Sequence, residues 1–364
     1  MNKIIIAAAG SGKTTHIVNQ AIRNDDKRIL ITTFTDANTE EIKKRFYQEC
    51  GCIPKNVSVK PWFTFLLSQC VRPYQGKLHK PRIDNLFLVS GQSAPFIPEK
   101  NISLHYFDKN GRIYSDKLSK FACRCNGLSK GMVIYRLSQI YDAIYIDETQ
   151  DLSGWDLEFL YLLFLSDLEI LCVGDPRQST LRTNNSSKNK SKSQTNLLSH
   201  FRAIAPKYAL EIDTHTLDSN HRSVKDICDF SNSLYNNEDW PQTQSDFSPE
   251  GESHLGVFLV DSQDVDNYLT KYNPVQLRDK ISVPINTNFS AINFGKSKGL
   301  TLKRVLIYPT DTMMDWLFKG KSLQNGTKCK FYVAITRAKL SVGIVRKQKY
   351  TKFSCSLPLW VPEL

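Results

Sequence analysis

Short apolar runs alternate with amphipathic stretches along most of the chain. Residues 3–8 and 28–33 are largely apolar, as in strands that a parallel sheet buries on both faces. The pattern predicts strands at residues 3–8, 28–33, 143–147, 169–173, 256–260, 303–308 and 342–345, and helices at residues 14–23, 39–50 and 223–234. Strands that alternate with helices in this way predict an α/β protein built on parallel sheets.

Two stretches interrupt this alternation. Residues 75–130 are irregular and rich in Pro, Lys and Asn, which is typical of an insertion. Residues 182–195 are polar, basic and low in complexity, which predicts a mobile loop. A second alternation begins near Tyr208. A chain of 364 residues is expected to form about two domains, and we place them at residues 1–205 and 206–364.

Charge narrows the classes of partner. The chain has 48 Lys and Arg against 36 Asp and Glu, a net charge of +12. This surplus suits an anionic partner, most often nucleic acid, and a basic soluble protein without such a partner is the alternative. The longest apolar run, residues 159–165, is too short to cross a membrane, so no membrane partner is expected.

Cysteine usage indicates the compartment. Nine scattered cysteines fit a reducing cytoplasm rather than a disulfide framework. Two C-x-C pairs, Cys50 with Cys52 and Cys123 with Cys125, would together supply four thiolates to zinc. Structural zinc sites more often use C-x-x-C spacing, and these pairs lie far apart, so separate thiols are the expected state.

A glycine-rich turn follows the first predicted strand and opens the first predicted helix. Residues 7–14 read AAAGSGKT. In this setting backbone N–H groups converge on phosphate oxygens, Lys13 reaches the β- and γ-phosphates, and Thr14 can ligand Mg²⁺. The sequence therefore predicts ATP and Mg²⁺ as cofactors, with phosphate-site residues Ala9, Gly10, Ser11, Gly12, Lys13, Thr14 and Thr15.

Acidic and amide side chains follow two later strands. In IYIDETQD, residues 144–151, an apolar run ends in Asp147 and Glu148. Asp147 can hold Mg²⁺, directly or through water, and Glu148 can orient or deprotonate the attacking water. In ILCVGDPRQST, residues 170–180, the amide of Gln178 can sense the γ-phosphate. Together these residues predict hydrolysis of the nucleotide.

The motifs, taken in order, resemble those of superfamily 1 DNA helicases of the UvrD/Rep/PcrA kind, in a compact form. AAAGSGKTT resembles motif I, TFTDANTEEIKKRF motif Ia, DETQD motif II, VGDPRQS motif III, SNHRS motif IV, KSKGLT motif V and FYVAITRAK motif VI. The resemblance implies two RecA-like P-loop NTPase domains with ATP between them. It makes Arg222 and Arg337 arginine fingers, which stabilise charge on the γ-phosphoryl group, and it places His221 and Gly299 at the nucleotide.

The resemblance also implies single-stranded DNA as a partner. In the family, segments like TFTD and PWFTFLL touch the strand, which assigns Phe34, Thr35, Trp62, Phe63 and Thr64 to that contact. Aromatic rings on a basic surface suit base stacking, whereas core packing is the alternative, favoured for Phe65 and open for Trp62. Lys296 and Lys298, and the basic residues Lys339, Arg346 and Lys347, are candidate phosphate contacts.

Several positions depart from the family pattern. There is no room for the family's adenine-reading glutamine motif before Asn2, and His221 and Thr301 replace an expected Tyr and Glu. Motif III runs on into Thr180, Leu181, residue 182 and Thr183 rather than into base-stacking aromatics. The interval between motifs IV and V is short, so we expect only a vestigial insertion at about residues 240–288.

The leading hypothesis is an ATP-dependent DNA helicase or translocase with 3′-to-5′ polarity. The alternative is a DNA-stimulated ATPase that senses DNA for a nuclease or another subunit in a repair or phage-defence complex and unwinds little alone. A small-molecule phosphotransferase is a third hypothesis. The DETQD and GDPRQ segments and the two arginines argue against it, because they favour water as the acceptor of the phosphoryl group.

Overall fold

A computed structural model describes residues 1–181, 183–184, 186–236 and 240–362. The strands are β1 (Asn2–Ile6), β2 (Ile29–Thr33), β3 (Val57–Pro61), β4 (Leu86–Phe87), β5 (Ile113–Tyr114), β6 (Ala143–Ile146), β7 (Glu169–Gly174), β8 (Leu210–Asp213), β9 (Ser219–Asn220), β10 (Gln244–Ser245), β11 (Gly256–Asp261), β12 (Val275–Arg278), β13 (Ala291–Asn293), β14 (Leu302–Tyr308), β15 (Ala338–Arg346) and β16 (Leu359–Trp360). The α-helices are α1 (Lys13–Arg23), α2 (Asp36–Cys50), α3 (Trp62–Phe65), α4 (Ile102–Tyr106), α5 (Leu118–Leu128), α6 (Met132–Ile140), α7 (Trp155–Phe164), α8 (Leu197–Tyr208), α9 (Lys225–Ser233), α10 (Val265–Tyr272), α11 (Asp311–Lys319) and α12 (Asn325–Ile335).

The chain divides into two compact units. The first contains Met1–Ile6, Lys13–Pro176 and Leu181–Thr216. The second contains Ala7–Gly12, Arg177–Thr180 and Leu217–Leu364. Most of the glycine-rich turn and the last residues of motif III therefore group with the second unit.

The first unit is built on a six-stranded sheet in the order β3-β2-β6-β7-β1-β8. Every neighbouring pair is parallel. Helix α2 shows how the sequence sets its local ends: the Thr35 hydroxyl accepts a hydrogen bond from Asn38 N at 3.1 Å, and Gly51 ends the helix at φ 76°. Ile42 and Phe46 of this helix are fully buried, which fixes it to the first unit's core.

Two strands of this sheet lie outside the predicted pattern. β3, which the hydrophobic pattern missed, pairs with β2 at the edge. β8 lies beyond the expected boundary at residues 205 and 206, yet it pairs in parallel with β1 through Asn2 and Leu210. The first sheet therefore extends further along the chain than residue 205, because an edge strand after α8 completes it.

The stretch of residues 75–130 is partly helical. Ser119, Phe121 and Ala122 of α5 are fully buried, so this helix belongs to the core of the first unit. The stretch 182–195 contains short 3₁₀ turns at Lys190–Lys192 and Gln194–Asn196. Residues 182 and 185, which belong to the predicted mobile loop, lie outside the described residues.

The second unit has its own six-stranded parallel sheet, in the order β13-β12-β14-β15-β11-β16. Residues 240–288, predicted as a vestigial insertion, supply β11 and β12 of this sheet, so most of that stretch is integral to the fold. Val260, Leu306 and Val345 lie in its core. The two parallel sheets confirm the predicted α/β class.

Two absences bear on the predictions. Among the described residues, no helix combines the length and apolar composition needed to span a bilayer. Within the same ranges, no group of three or more His, Cys, Asp or Glu side chains is placed to hold a metal ion. Cys50 and Cys52 are exposed free thiols, and Cys125 is a buried one.

Candidate functional site

The glycine-rich turn leaves the carboxyl end of β1. Gly10 and Gly12 adopt φ angles of 81° and 79°, a left-handed conformation in which a side chain is strained. Ser11 Oγ donates to the carbonyl oxygen of Ala8 at 2.9 Å. The turn therefore presents main-chain groups rather than bulky side chains.

Within the second unit, the turn contacts the SNHRS segment. Asn220 Nδ2 donates to the Ala9 carbonyl oxygen at 2.8 Å, and the His221 N–H donates to the Gly10 carbonyl oxygen at 3.0 Å. A Cβ placed on Gly10 would lie 2.6 Å from Asn220 Oδ1. Asn220 is a contact of the turn that sequence analysis missed, although it lies within motif IV.

Lys13 and Thr14 begin α1 in the first unit. Lys13 is buried, and Thr14 Oγ1 donates to Asp147 Oδ2 at 2.8 Å. Asp147 follows β6 directly, and its N–H donates to the Thr32 carbonyl oxygen at 2.9 Å. β1 and β6 are parallel strands with β7 between them, and the segments that follow their carboxyl ends bring the predicted Mg²⁺ ligands Thr14 and Asp147 into contact.

The acidic pair after β6 is electrostatically coupled. Burial, reinforced by the neighbouring Glu148 carboxylate, raises the pKa of Asp147. The Glu148 N–H donates to Asp147 Oδ1 at 2.9 Å, and Glu148 itself has a φ of 56°. This left-handed residue turns the chain sharply at the strand end, where a strained backbone is typical of functional positions.

Gln150 connects the acidic pair to the next strand. Its Nε2 donates to Glu148 Oε2, and its Oε1 accepts from the Asp175 N–H at 3.0 Å. Gly174, at the end of β7, makes room for this amide, because a Cβ there would lie 2.6 Å from Gln150 Oε1. Gln150 holds Glu148, a role that its place within DETQD could have signalled.

Thr15 has a structural partner. Arg45 Nη1, from α2, donates to Thr15 Oγ1 at 2.8 Å. The same guanidinium pairs with Glu41 at 2.9 Å. The Thr15 hydroxyl therefore ties α1 to α2 in this structure.

Gln178 and Arg337 meet within the second unit. Arg337 Nη2 donates to Gln178 Oε1 at 2.9 Å. Its Nε donates to the Val333 carbonyl oxygen at 3.0 Å, and Nη1 donates to that of Leu300 at 3.2 Å. The guanidinium is buried and held by several acceptors. It therefore differs from an isolated surface Arg, which is usually solvated or pairs weakly with a nearby acid.

The other motif IV to VI residues are more exposed. Arg222 is half-buried and donates from Nη1 to the Thr336 carbonyl oxygen at 3.4 Å. His221 is exposed, with Nδ1 2.6 Å from Asp246 Oδ2. Gly299 is exposed at a φ of 84°. Arg177, which the motif pattern did not single out, is fully buried, and its guanidinium lies 5.1 Å from the ring centre of Tyr332.

The predicted strand-contact residues of the first unit fall into two sets. The rings of Phe34 and Phe63 are half-buried and pack edge to face at 5.5 Å. Thr64 is exposed, and the Thr35 hydroxyl caps α2. Trp62, which the sequence left undecided, is 1% exposed. It is a core residue here, as Phe65 is, because neither ring has a face free for a base.

The basic candidates of the second unit differ in their partners. Lys296 is exposed and Lys298 is half-buried, on and just after a 3₁₀ turn. Arg346 pairs with Asp261 at 2.6 Å, and Lys347 pairs with Asp311 at 2.5 Å. The last two carry neutralising partners, so Lys296 is the more available phosphate contact.

The residues around the turn fit a magnesium-bound nucleoside triphosphate. A buried ammonium, a hydroxyl and a carboxylate lie together in the first unit, and the turn with two left-handed glycines directly precedes Lys13 in the chain. Oxygen ligands are those that Mg²⁺ prefers, and main-chain N–H groups at a helix start suit phosphate. Thr14 and Asp147 could hold the metal, and Lys13 could bind phosphate oxygens.

The sequence is similar to a known family and to a curated protein. The family described as AAA domain matches residues 1–183. Gabija protein GajB from Bacillus cereus (strain VD045) is 26% identical over an alignment of 288 positions, and the match covers 74% of this chain and 53% of that protein. The chain thus spans about half the length of this curated relative.

Two solved structures align with most of this chain. The crystal structure of Arterivirus nonstructural protein 10 (helicase) aligns with 96% of this chain and 60% of its own, at a TM-score of 0.48 and 14% identity. The complex of Arterivirus nonstructural protein 10 (helicase) with DNA aligns with 95% of this chain and 60% of its own, at a TM-score of 0.47 and 14% identity.

Proposed function

We propose, since this chain belongs to the AAA domain family, that it hydrolyses ATP while moving along single-stranded DNA. In finer terms it is a superfamily 1 DNA helicase or translocase of the UvrD/Rep/PcrA kind, with 3′-to-5′ polarity, acting in the cytoplasm. The seven ordered motifs and the net charge of +12 support this assignment.

One observation carries the proposal. Thr14 Oγ1 lies 2.8 Å from Asp147 Oδ2, beside the buried Lys13. A hydroxyl and a carboxylate brought together at the carboxyl edge of a parallel sheet, next to a glycine turn, are suited to a magnesium nucleotide. A merely structural turn needs neither a buried lysine nor an acidic partner for the threonine.

Each residue of the first unit then has a chemical task. Lys13 binds phosphate oxygens, and Thr14 and Asp147 hold Mg²⁺. The metal held there would supply positive charge that stabilises the transferring phosphoryl group. Glu148 orients the attacking water and accepts its proton, and Gln150 fixes the direction of that carboxylate. The predicted products are ADP and inorganic phosphate.

Residues of the second unit complete the assignment. Gln178 senses the γ-phosphate, and Arg222 and Arg337 stabilise its transferring phosphoryl group. The main-chain N–H groups of Ala9, Gly10, Ser11 and Gly12 cradle phosphate. His221 and Gly299 contact the remainder of the nucleotide, as the motif resemblance implies.

Single-stranded DNA is the proposed track. Phe34 and Phe63 offer half-buried rings on which bases can stack, with Thr35 and Thr64 beside them. Lys296 and Lys298 are proposed to bind backbone phosphates. Trp62 leaves this list, because its ring is buried in the core.

Displacement of streptavidin from biotinylated oligonucleotides tests the movement. A 3′-to-5′ translocase strips streptavidin from a 5′ end in the presence of ATP and leaves it on a 3′ end. The Lys13→Ala protein should strip neither. Equal displacement from both ends, or displacement without ATP, would contradict directional movement driven by hydrolysis.

A second candidate is a DNA-stimulated ATPase that signals to a nuclease or another subunit and unwinds little alone. The side chain of Thr183 favours it. Where the family has an aromatic residue that stacks on a base, Thr183 is buried and its hydroxyl donates to the Asp151 carbonyl oxygen at 3.0 Å. Strand displacement by the isolated chain separates the candidates, because efficient unwinding without a partner excludes this second one.

A further inference from the structure

A buried carboxylate lies in the first turn of α7. Asp156 is fully buried. Its Oδ1 accepts a hydrogen bond from Trp62 Nε1 at 2.7 Å and another from Ser119 Oγ. Burying a carboxylate is costly unless it is well paired. The donors come from α3, at the predicted strand-contact segment, and from α5, so one acceptor joins three helices.

The Trp62 end of this link anchors the aromatic segment. Rings of Trp62 and Phe65 lie 5.7 Å apart, and both pack at 6.2 Å from Phe159 of α7. The residues between them, Phe63 and Thr64, are the half-buried and exposed ones. The inward pair thus fixes the outward pair on α7, and the hydrogen bond from Trp62 to Asp156 sets the register.

The Asp156 end of the link leads to the acidic motif. The Asp156 N–H donates to the Ser153 carbonyl oxygen at 3.0 Å. The Ser153 N–H donates to Thr183 Oγ1 at 3.1 Å, and that hydroxyl donates to the Asp151 carbonyl oxygen at 3.0 Å. Asp151 closes the DETQD segment that carries Glu148. A short run of hydrogen bonds therefore joins the aromatic segment to the hydrolytic one.

We propose that Asp156 is a positioning residue that couples the Phe63–Thr64 surface to the DETQD segment, so that a bound strand raises ATP hydrolysis. This inference rests on the proposed function. Asp156 acts through Trp62 and the start of α7, and it touches neither nucleotide nor nucleic acid. Its contribution lies in the response to DNA rather than in the chemical step itself.

The acceptor oxygen, rather than the charge, carries this role. Burial raises the pKa of Asp156, which disfavours the ionised form. Asparagine has the same shape and keeps an acceptor at Oδ1, so Asp156→Asn preserves the bond from Trp62. Asp156→Ala removes the acceptor and leaves the indole N–H buried without it. The two variants therefore separate positioning from electrostatics.

The experiment measures steady-state ATP hydrolysis with and without oligo-dT, for the wild type, Asp156→Ala and Asp156→Asn. We expect Asp156→Ala to lower the DNA-stimulated kcat about threefold or more, with basal kcat and the ATP KM within about twofold of wild type. Asp156→Asn should restore the stimulation. Trp62→Phe, which keeps a ring and loses the donor, should lower the stimulation equally, and combining it with Asp156→Ala should add nothing.

The outcomes separate this inference from the proposed function. A wild type whose hydrolysis ignores DNA contradicts the proposed function. A stimulated wild type whose Asp156→Ala and Trp62→Phe proteins are stimulated equally well overturns the inference alone. So does a parallel fall of basal and stimulated rates. If Asp156→Ala fails to fold by circular dichroism, Trp62→Phe against wild type decides the matter.

Discussion

The Thr14 hydroxyl, at the start of α1, donates a 2.8 Å hydrogen bond to the carboxylate of Asp147, which directly follows β6. Asp147 follows β6, which only β7 separates from β1 in this sheet, and all three strands run parallel. Their carboxyl ends therefore share one edge of the sheet, where residues 133 positions apart in the sequence come into contact. Because the two side chains are in direct contact at the proposed metal site, we expect substitution of either one to lower the rate of hydrolysis.

Thr14→Ala removes the hydroxyl that we assign to Mg²⁺. We expect kcat for ATP hydrolysis to fall about a hundredfold or more, since metal charge stabilisation is worth several kcal/mol. In a steady-state assay, the Thr14→Ala protein should need a higher Mg²⁺ concentration for half-maximal hydrolysis than the wild type. Thr351→Ala is a matched control, because that hydroxyl is on the exposed surface near the chain's end. A Thr14→Ala protein with wild-type turnover would refute the metal assignment.

Gln150→Ala releases Glu148 from its amide partner. Because Gln150 touches Glu148 and the Asp175 N–H, we expect kcat to fall about tenfold while the ATP KM changes little. Glu148→Gln should be more severe and abolish turnover. Gly174→Ala offers an independent route, since its Cβ would displace the Gln150 amide. If KM rises and kcat holds in both variants, Gln150 serves binding instead.

The sequence predicted which residue types form the site better than it predicted the hydrogen bonds between them. Short motifs such as AAAGSGKT and DETQD are local in sequence, and the parallel sheet then brings Thr14 to Asp147. Gln150 and Asn220 were missed as contacts because their partners, Asp175 N–H and the Ala9 carbonyl oxygen, are main-chain atoms. A side-chain pattern carries no record of such acceptors and donors.

Arg337→Ala tests the buried guanidinium. We expect kcat to fall about a thousandfold if this residue serves as an arginine finger. Arg337→Lys should rescue little, because an ammonium cannot reproduce bonds to Gln178, Val333 and Leu300 together. Thermal unfolding is the necessary companion, since a buried Arg also supports packing. Normal turnover with lowered stability would make Arg337 a structural residue only.

Acidification should weaken the second unit through His254. This ring stacks on Tyr272 at 3.8 Å and on Phe258 at 4.2 Å. Burial, helped by the charges of Arg304 and Lys271, lowers the pKa of His254 to about 4 from 6.5. The unfolded chain then binds more protons between those values. The contribution of the neutral His254 ring to the free energy of unfolding is therefore fully present above pH 6.5 and is lost as the pH falls toward 4.

The measurement compares urea unfolding of wild type and His254→Phe at pH 7.5 and pH 5. Wild type should lose about 1 kcal/mol of unfolding free energy from this group at pH 5, discounted for its partial exposure. His254→Phe should lose that much less. An identical pH dependence in both proteins would show that His254 titrates normally in the folded chain.

Strand edges were harder to predict than strand cores. β6 and β7 are buried apolar runs and were found, whereas β3, with Ser58 and Lys60, lies at a sheet edge and carries a mixed pattern. β8 is likewise an edge strand and was assigned to the second domain, because nothing local tells which sheet an edge strand joins. Trp62 shows the same limit, since its ring bonds to Asp156 and packs on Phe159, both far along the chain.

Turnover of ATP with and without nucleic acid tests the central claim most directly. The assay compares wild type and Lys13→Ala with single-stranded DNA, duplex DNA and RNA, at two salt concentrations. We predict hydrolysis that single-stranded DNA raises most, that high salt weakens because phosphate contacts release counterions, and that Lys13→Ala lacks. Robust hydrolysis that no nucleic acid changes, or turnover retained by Lys13→Ala, would contradict the account.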